Sequence, residues 1–358
     1  MAYTTIDDPS AHFQTLIYTG NNTSRSLTNT GNSDLQPDLI WQKGRDIVSD
    51  HGLIDSTRGI RQVLWGNQTN AEVTSNSGAD ITAFNSDGFS VGTSHQIDSN
   101  SNTKLLVAWQ WKANGGTTTT NDASATSIGS QDSVYQANTT AGFSIVTWSG
   151  ANAVATMAHG LGAVPHVIIL KSRTATENWG VYHHKNTSAP ETDYLKLNTT
   201  DATTDSTSVT NDTAPTSTLF TVGDSGIANE VGNTYVGYLF SEIQGYSKFG
   251  SYTGNGNADG PFVYLGFKPK YFLLKNTAAT QNWYVFDTAR DTYNPSNSAM
   301  QASSNAAQET GYAMDFLSNG FKIRHNDGAW NGSGNAFIYM AFAEHPFVSS
   351  KGVPCTAR

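Results

Sequence analysis

One stretch of this chain, residues 245–287, occurs again upstream, and this limits the architectures that the chain can adopt. The segment VPHVIILKS at residues 164–172 matches KPKYFLLKN at residues 268–276, a separation of 104 positions. The same shift places Trp179 on Trp283. The chain therefore contains two close copies of one structural pattern.

A third, more divergent copy carries QPDLIWQK at residues 36–43 and has His51 where the other copies have the tryptophan. A chain of 358 residues is too long for one ordinary domain and fits three of about 100 to 130 residues. We predict an N-terminal arm (1–12), a first β-sandwich repeat (13–111), a linker rich in Thr, Ser, Gly and Asn (112–141), a second repeat (142–244), a third repeat (245–348) and a C-terminal tail (349–358).

Short apolar runs bounded by Gly, Asn, Asp or Ser dominate the chain. Each run has the length of a β-strand, and helical periodicity is nearly absent. Many short strands with even turn spacing are typical of sandwiches and jelly rolls. We therefore predict an all-β fold of three tandem antiparallel β-sandwich or jelly-roll-like domains. One helix is expected within residues 297–308, which are rich in Ala and Gln.

The composition argues against several classes of partner. Charged residues make up 14% of the chain, the net charge is -9, and the 20 Lys and Arg form no cluster, so we expect no nucleic-acid partner. The single cysteine, Cys355, excludes an intrachain disulfide and a thiolate metal cluster. No apolar window approaches about 18 residues, and the N-terminus lacks a signal-peptide pattern. We expect a soluble chain made in the cytoplasm and no membrane insertion.

The usual catalytic motifs are missing: there is no nucleophile elbow, phosphate-binding loop or His-Glu-x-x-His pattern. His183 and His184 are neighbours, and neighbours in a strand point to opposite faces, which disfavours shared metal binding. We therefore predict no enzymatic activity, no catalytic residues, no metal centre and no cofactor.

The three units close with similar strands, NTKLLVAWQW, NTYVGYLFSE and NAFIYMAFAE. Their alignment places Phe240 and Phe342 in equivalent positions and makes Trp109 the counterpart in the first unit. Glu242 and Glu344 are equivalent to each other in separate units. This favours one structural residue present twice over the facing acid pair of a glycosidase.

The segment NGNADG at residues 255–260 matches the start of a calcium loop, with Asn255, Asn257 and Asp259 as oxygen ligands. The twelfth position is Gly266, which cannot supply the bidentate carboxylate. These three residues are therefore a weak calcium candidate, and an Asn/Gly-rich hairpin turn is favoured.

The recurring aromatic residues are the main candidates for an interface or a ligand site: Trp179, Tyr182, Trp283, Tyr284 and Phe286. In NWYVFD, alternation places Trp283 on one face of a strand and Tyr284 and Phe286 on the other. A sandwich strand covered on its second face by a neighbouring domain or subunit explains this pattern. The alternative is stacking of a sugar on an exposed ring.

The patterns GFSIVTWSGANAV, VPHVIILKSRTATENWGVYH and GYSKFGSYTGNGNADGPFVYLGFKPKYFLLKNT, with the closing IYMAFAEHPF, resemble a repeated domain common in marine and cyanobacterial bacteriophages. The resemblance is close over residues 142–347 and looser over residues 13–111. Such proteins are usually described as phage structural or tail-fibre-like proteins. The resemblance implies a location in the virion, assembled in the host bacterial cytoplasm, and no set of catalytic residues.

The functional expectation is a non-enzymatic virion protein, acting as a tail fibre or adhesin that contacts host-surface glycan through its β-domains. The alternative is a capsid or neck decoration protein without a receptor role, and a glycan depolymerase is the third hypothesis. Expected partners are other virion proteins and further copies of the chain, because domains with apolar surface on two faces need cover on both. The resemblance to phage fibres implies that this homo-oligomer is a homotrimer.

Overall fold

The structure is a computed structural model that describes residues 3–356. The first two residues of the predicted arm and the last two of the predicted tail lie outside this range. The regular secondary structure of the described chain is almost entirely β-strand, which confirms the predicted all-β fold class. No helix within residues 3–356 is long and apolar enough to cross a membrane.

The first nine strands form sheet 1 and a small companion sheet, after a 3₁₀ turn at Pro9–Ala11. They are β1 (Phe13–Thr19), β2 (Arg25–Leu27), β3 (Leu39–Gly44), β4 (Gly52–Asp55), β5 (Gln62–Trp65), β6 (Val73–Thr74), β7 (Ile81–Phe84), β8 (Phe89–Val91) and β9 (Leu105–Trp111). Sheet 1 has the order β1-β9-β3-β4-β5-β6, and the companion sheet has the order β2-β8-β7.

The next ten strands form sheet 2 and its companion. They are β10 (Thr119–Asn121), β11 (Ser133–Asn138), β12 (Phe143–Ser149), β13 (Ala155–Ala158), β14 (Val167–Ser172), β15 (Gly180–His183), β16 (Asp193–Lys196), β17 (Thr204–Asp205), β18 (Leu219–Val222) and β19 (Thr234–Phe240), with helix α1 (Ala123–Thr126) and a 3₁₀ turn at Pro190–Thr192. Sheet 2 has the order β10-β11-β12-β19-β14-β15-β16-β17, and β13 pairs with β18.

The description of residues 112–141 as a plain linker is wrong. They contribute β10, α1 and β11, and β11 pairs antiparallel with β12. The segment is too polar to form a core of its own, as its composition indicates. It is ordered by backbone hydrogen bonds to the edge of an existing sheet, which require little apolar surface.

The last eight strands form sheet 3. They are β20 (Ser247–Thr253), β21 (Phe262–Tyr264), β22 (Phe267–Asn276), β23 (Trp283–Asp287), β24 (Ser296–Gln301), β25 (Glu309–Leu317), β26 (Gly320–Ile323) and β27 (Ala336–Pro346), with helix α2 (Gly328–Asn331). The order is β20-β27-β22-β23-β24-β25-β26-β21. The helix expected within residues 297–308 is wrong, because β24 includes residues 297–301 and pairs with β23 and β25. Its residues Ala299 and Met300 are buried, so tertiary pairing overrides local propensity.

The central strands of each sheet bury both faces. In β14, Val167 and Ile169 enter a core cluster shared by all three sheets, whereas Ile168 and Leu170 enter a second cluster confined to sheet 2 and its companion. Strands β3 and β22 alternate in the same way between the shared core and the outer cores. Each unit is thus a sandwich whose inner sheet also faces the other two units.

The three inner faces meet in one shared core, so the units close around each other instead of forming separate domains in a row. At its centre the rings of Trp111, Phe240 and Phe342 contact one another, with centroid separations of 6.3, 5.7 and 5.8 Å. The prediction that Trp109 is the counterpart of the two phenylalanines is wrong by two positions, since the strand registers make Trp111 equivalent to them. Both positions are apolar, so the pattern alone did not fix the offset.

The same hydrogen bonds join neighbouring sheets at all three junctions. Between sheets 1 and 2, the carbonyl oxygen of Thr69 accepts from the backbone N of Glu177 (3.0 Å) and from Nζ of Lys171 (3.1 Å). Between sheets 2 and 3, the carbonyl oxygen of Thr200 accepts in the same way from the backbone N of Gln281 and from Lys275. Between sheets 3 and 1, the carbonyl oxygen of Asn305 accepts from the backbone N of Ser49 and from Lys43. Three equivalent junctions give the body an approximate threefold arrangement.

The junction lysines Lys43, Lys171 and Lys275 are fully buried. Beyond its bond across the junction, Nζ of Lys171 donates to the carbonyl oxygens of Ser172 (2.9 Å) and Ala175 (3.3 Å). Burial lowers the pKa of each of the three lysines to about 8. Backbone carbonyl groups thus replace water around each ammonium group.

The N-terminal arm docks on sheet 3. The Tyr3 hydroxyl donates to the carbonyl oxygen of Gly266 (2.8 Å), and the Thr4 hydroxyl donates to that of Gln244 (2.8 Å). Further along, the Asp7 carboxylate accepts from the backbone N of Ser350 (2.6 Å). These bonds order an otherwise polar segment, as its sequence leads us to expect of a tethered arm.

The buried lysines predict a specific pH dependence. Between pH 8 and 10.5 the unfolded chain holds a proton on Lys171 that the folded chain has released, so the free energy of unfolding rises with pH. Over this window the stability of the wild type relative to Lys171→Met should increase by about 3 kcal/mol, measured by urea unfolding. The control is Lys185→Met, which removes an exposed lysine and should follow the wild type. A constant difference between Lys171→Met and the wild type would contradict the prediction.

Candidate functional site

The two repeated tryptophans lie inside the body. Trp179 is 0% and Trp283 is 3% exposed, and both belong to the shared core. Trp179 Nε1 donates to the carbonyl oxygen of Trp65 in sheet 1 (2.9 Å), and Trp283 Nε1 donates to that of Lys196 in sheet 2 (2.9 Å). Each tryptophan therefore links two neighbouring sheets by a hydrogen bond, and neither ring is exposed for stacking against a sugar.

The other aromatic candidates line the outer cores. Tyr182 packs in the core of the second sandwich, and Tyr284 and Phe286 pack in that of the third, against Trp330. All three are buried. The second face of these strands is thus covered within the chain, and the five aromatic residues are not available as a surface for ligand stacking.

His51 performs the task of the repeated tryptophans in sheet 1. Its Nε2 donates to the carbonyl oxygen of Gln301 in sheet 3 (3.0 Å), the equivalent contact at the third junction. Its Nδ1 accepts from Trp41 Nε1 (2.9 Å), which fixes the neutral imidazole, and burial lowers the pKa of His51 well below its usual value. Trp41 occupies the position held by Ile169 in sheet 2, so a large and a small side chain have exchanged places.

The oxygens of the weak calcium candidate are engaged in turn hydrogen bonds. Asn255 Oδ1 accepts from the backbone N of Asn257 (3.0 Å), and Asn257 Oδ1 accepts from that of Asp259 (2.9 Å). The Asp259 carboxylate lies 2.8 Å from Lys322 Nζ. This is the geometry of an Asn-rich turn, and no group of three or more His, Cys, Asp or Glu side chains suited to a metal ion occurs within residues 3–356.

The histidine pair and the two glutamates have local partners. His183 Nε2 donates to the carbonyl oxygen of Tyr339 (3.1 Å), and burial lowers the pKa of His183 to about 3. His184 Nε2 donates to the carbonyl oxygen of Phe249, whose backbone N donates to Glu242 Oε1 (2.7 Å). Glu344 forms an ion pair with a lysine in sheet 3. Glu242 is thus bonded across the junction of sheets 2 and 3, Glu344 is paired within sheet 3, and this does not match a facing acid pair.

The three sheets differ most along one edge. Strands β1, β12 and β20 occupy equivalent places, and Thr15, Ile145 and Phe249 are equivalent residues by register. In sheet 2 this edge is covered by β11, and in sheet 3 His184 and Glu242 bond to the edge backbone at Phe249. In sheet 1, β1 is the outermost strand.

Two adjoining hollows of ≈190 and ≈370 Å³ follow β1 in the angle between sheets 1 and 3, and we call them together the edge groove. Residues 13–17 form one side. Lys268, Lys270, Thr288 and Glu344 of sheet 3 form the other. The edge groove is therefore the surface that distinguishes the third junction from the other two.

Two ammonium groups and one carboxylate lie around the middle of the edge groove. Glu344 Oε2 lies 3.1 Å from Lys268 Nζ, and its Oε1 lies 3.9 Å from Lys270 Nζ, so one carboxylate faces two ammonium groups. Asp8 lines the far end, where its carboxylate accepts from Ser10 and Ser33 in a turn. The middle of the groove thus favours an anionic or hydrogen-bonding group.

Reasoning from the sequence missed this groove. Each unit has a proline at the start of an equivalent strand, namely Pro37, Pro165 and Pro269. The available signal was the residue after this proline, which is Asp38 in the first unit, His166 in the second and Lys270 in the third. A position that is structurally equivalent but chemically different in each unit marks a place where the units have separate roles. The sequence alone did not reveal the groove, because its two sides belong to sheets 1 and 3 and lie together only in the folded structure.

Residues 8–346 match the family described as Domain of unknown function (DUF7483). The chain belongs to this family. No curated protein and no solved structure matches the chain. The DUF7483 match runs through all three sheets, so the family is defined on the complete body that contains the edge groove.

The exchange of large and small residues in this DUF7483 chain predicts strong coupling between two positions. His51→Trp alone overpacks the site and should cost about 1 to 3 kcal/mol of unfolding free energy. Trp41→Ile alone leaves a cavity and should cost about 3 kcal/mol or more. The double variant reproduces the Ile169 and Trp179 pair, so it should be more stable than either single variant when measured by urea unfolding. Additivity within about 0.5 kcal/mol would contradict this reading of the site.

Proposed function

We propose that this protein is a non-enzymatic structural component of a bacteriophage virion and that the closed three-sheet body attaches to other virion proteins. The observation that carries the proposal is the threefold set of junctions made within one chain. Closed threefold symmetry also occurs in homo-oligomers, where separate subunits supply the equivalent junctions. The resemblance of residues 142–347 to phage structural proteins supplies the context.

The contacts favour attachment within the particle over binding of host glycan. The adhesin hypothesis relied on Trp179 and Trp283, and both rings lie in the shared core. The third hypothesis, a depolymerase, required two facing acids, whereas Glu242 bonds to the backbone of Phe249 and Glu344 pairs with Lys268. A decoration or connector role needs neither an exposed aromatic platform nor an acid pair, so we favour it over the tail-fibre adhesin.

The covered inner faces also change the expected oligomeric state. A homotrimer is expected if each unit has an apolar face without cover. In the structure the other two units of the same chain cover that face. We propose that the free protein is a monomer whose three units are arranged as three subunits would be in a homotrimer.

The proposal predicts the results of three experiments. Antibodies against the chain should label purified particles at the capsid or neck, and light scattering of the free protein should give the monomer mass of 38.4 kDa. The fluorescently labelled chain should not bind host cells, with a known receptor-binding protein of the phage as the positive control. Particles that lack the chain, although the lysate contains it, would refute the virion role. Saturable binding to cells that soluble host glycan inhibits would restore the adhesin hypothesis.

A further inference from the structure

The edge of β1 presents backbone groups that no other strand covers. The carbonyl oxygen of His12 accepts from the backbone N of Lys112 (3.0 Å), and the backbone N of Gly20 donates to the carbonyl oxygen of Lys104 (2.8 Å). Even-numbered residues of β1 therefore pair with β9, and odd-numbered residues direct their N–H and C=O groups away from it. At Thr15 and Ile17 these groups face the edge groove, and no described residue bonds to them across it.

The same chain shows what fits on such an edge. In sheet 2, β11 lies antiparallel on β12 and places Gln136 opposite Ile145, the residue equivalent to Thr15. This pairing satisfies the outward backbone groups of β12 with a segment of only moderate apolar content. Strands β1 and β12 pair with their neighbours β9 and β19 in equivalent registers, so the edge of β1 can accept an antiparallel strand in the register that β11 has on β12.

Gln136 also indicates which side chain suits the edge groove. Its Nε2 donates to Ser56 Oγ and its Oε1 accepts from the backbone N of Asn114, beside the carboxylate of Asp38. In sheet 3 the equivalents of Asp38 and Ser56 are Lys270 and Thr288. A side chain at the Gln136 position of a strand on β1 therefore faces an ammonium group and a hydroxyl group.

Two hydroxyl groups of the edge groove, one on each side, have no hydrogen-bond partner among the described residues. Thr15 Oγ1 and Thr288 Oγ1 are both buried and form no hydrogen bond with any described residue. Buried polar groups are normally hydrogen-bonded, so two such groups beside an open strand edge indicate a missing partner. At the rim, Ile17 is 42% exposed and offers an apolar contact.

We propose that the edge groove binds an extended segment of a different protein, which adds an antiparallel strand to β1 and places a glutamate or aspartate opposite Thr15. The backbone of the segment pairs with the outward groups of Thr15 and Ile17. Its carboxylate accepts hydrogen bonds from Lys270 and Thr288. This inference concerns the fold alone and does not depend on the virion role.

The probe for the test is a labelled peptide with the sequence of residues 131–140, QDSVYQANTT, which contains β11. It is compared with the same peptide carrying Gln136→Glu and with one methylated on the backbone N of residue 136. Fluorescence anisotropy with the full-length protein should show the tightest binding for the glutamate peptide. The methylated peptide should bind at least about tenfold more weakly, because it cannot pair with β1.

Two variants of the protein locate the binding. Ile17→Pro removes an outward N–H without breaking the pairing with β9 and should weaken binding about tenfold or more. Ser251→Pro is the matched control, since Ser251 occupies the equivalent place on β20. Lys270→Glu should abolish the preference for glutamate over glutamine while both peptides still bind.

The outcomes separate the proposal from its rivals. Equal binding by Ile17→Pro and Ser251→Pro would overturn it, and such binding would indicate that the peptide displaces the chain's own β11. Failure of all three peptides to bind would also overturn it. Self-association of the wild type that Ile17→Pro abolishes would make a second copy of the chain the occupant, which contradicts a different protein as partner. Slower hydrogen exchange at the Thr15 and Ile17 amides on addition of the glutamate peptide would support it.

Discussion

The structure depends on covering both faces of each inner sheet. The alternation of apolar residues in β3, β14 and β22 gives every sheet two apolar faces whose exposure to water is unfavourable, and the outer core of each unit covers only one of them. Three such sheets can cover one another when they close around a common core. The polar backbone trapped at each junction then needs hydrogen bonds, and the carbonyl groups of Thr69, Thr200 and Asn305 receive them from a backbone N–H and a buried lysine.

The units have diverged while the junctions have kept their geometry. His51 makes the bond that Trp179 and Trp283 make elsewhere, because Trp41 supplies the volume that the imidazole lacks. Close packing in protein interiors tolerates such exchanges when total volume is maintained. The edge strands do not have to maintain a packed volume, because their outward backbone groups need only hydrogen-bond partners. The three sheets differ in what supplies those partners.

Local pattern predicted the local features of this fold. Alternation in NWYVFD predicted a strand buried on both faces, and the spacing of Pro165 and Pro269 predicted equivalent strands in two units. The predictions that were wrong concern segments whose structure depends on distant parts of the chain. The Ala-rich segment at residues 297–308 begins as a strand because β23 and β25 lie beside it, and β11 is ordered only because β12 offers an edge. The edge groove arises from the relation between sheets 1 and 3, which no stretch of sequence records.

Joining three units in one chain gives the body a property that a trimer of identical subunits cannot have. A change at one edge of a symmetric trimer appears three times around the axis, and every new contact is triplicated. In this body the edge of β1 is open at Thr15 and Ile17, whereas β11 covers the edge of β12, and His184 and Glu242 bond to the edge of β20 at Phe249. A partner strand would therefore bind with a stoichiometry of one to one, and the body would have a unique orientation on whatever carries that strand, although most of its surface follows a threefold pattern.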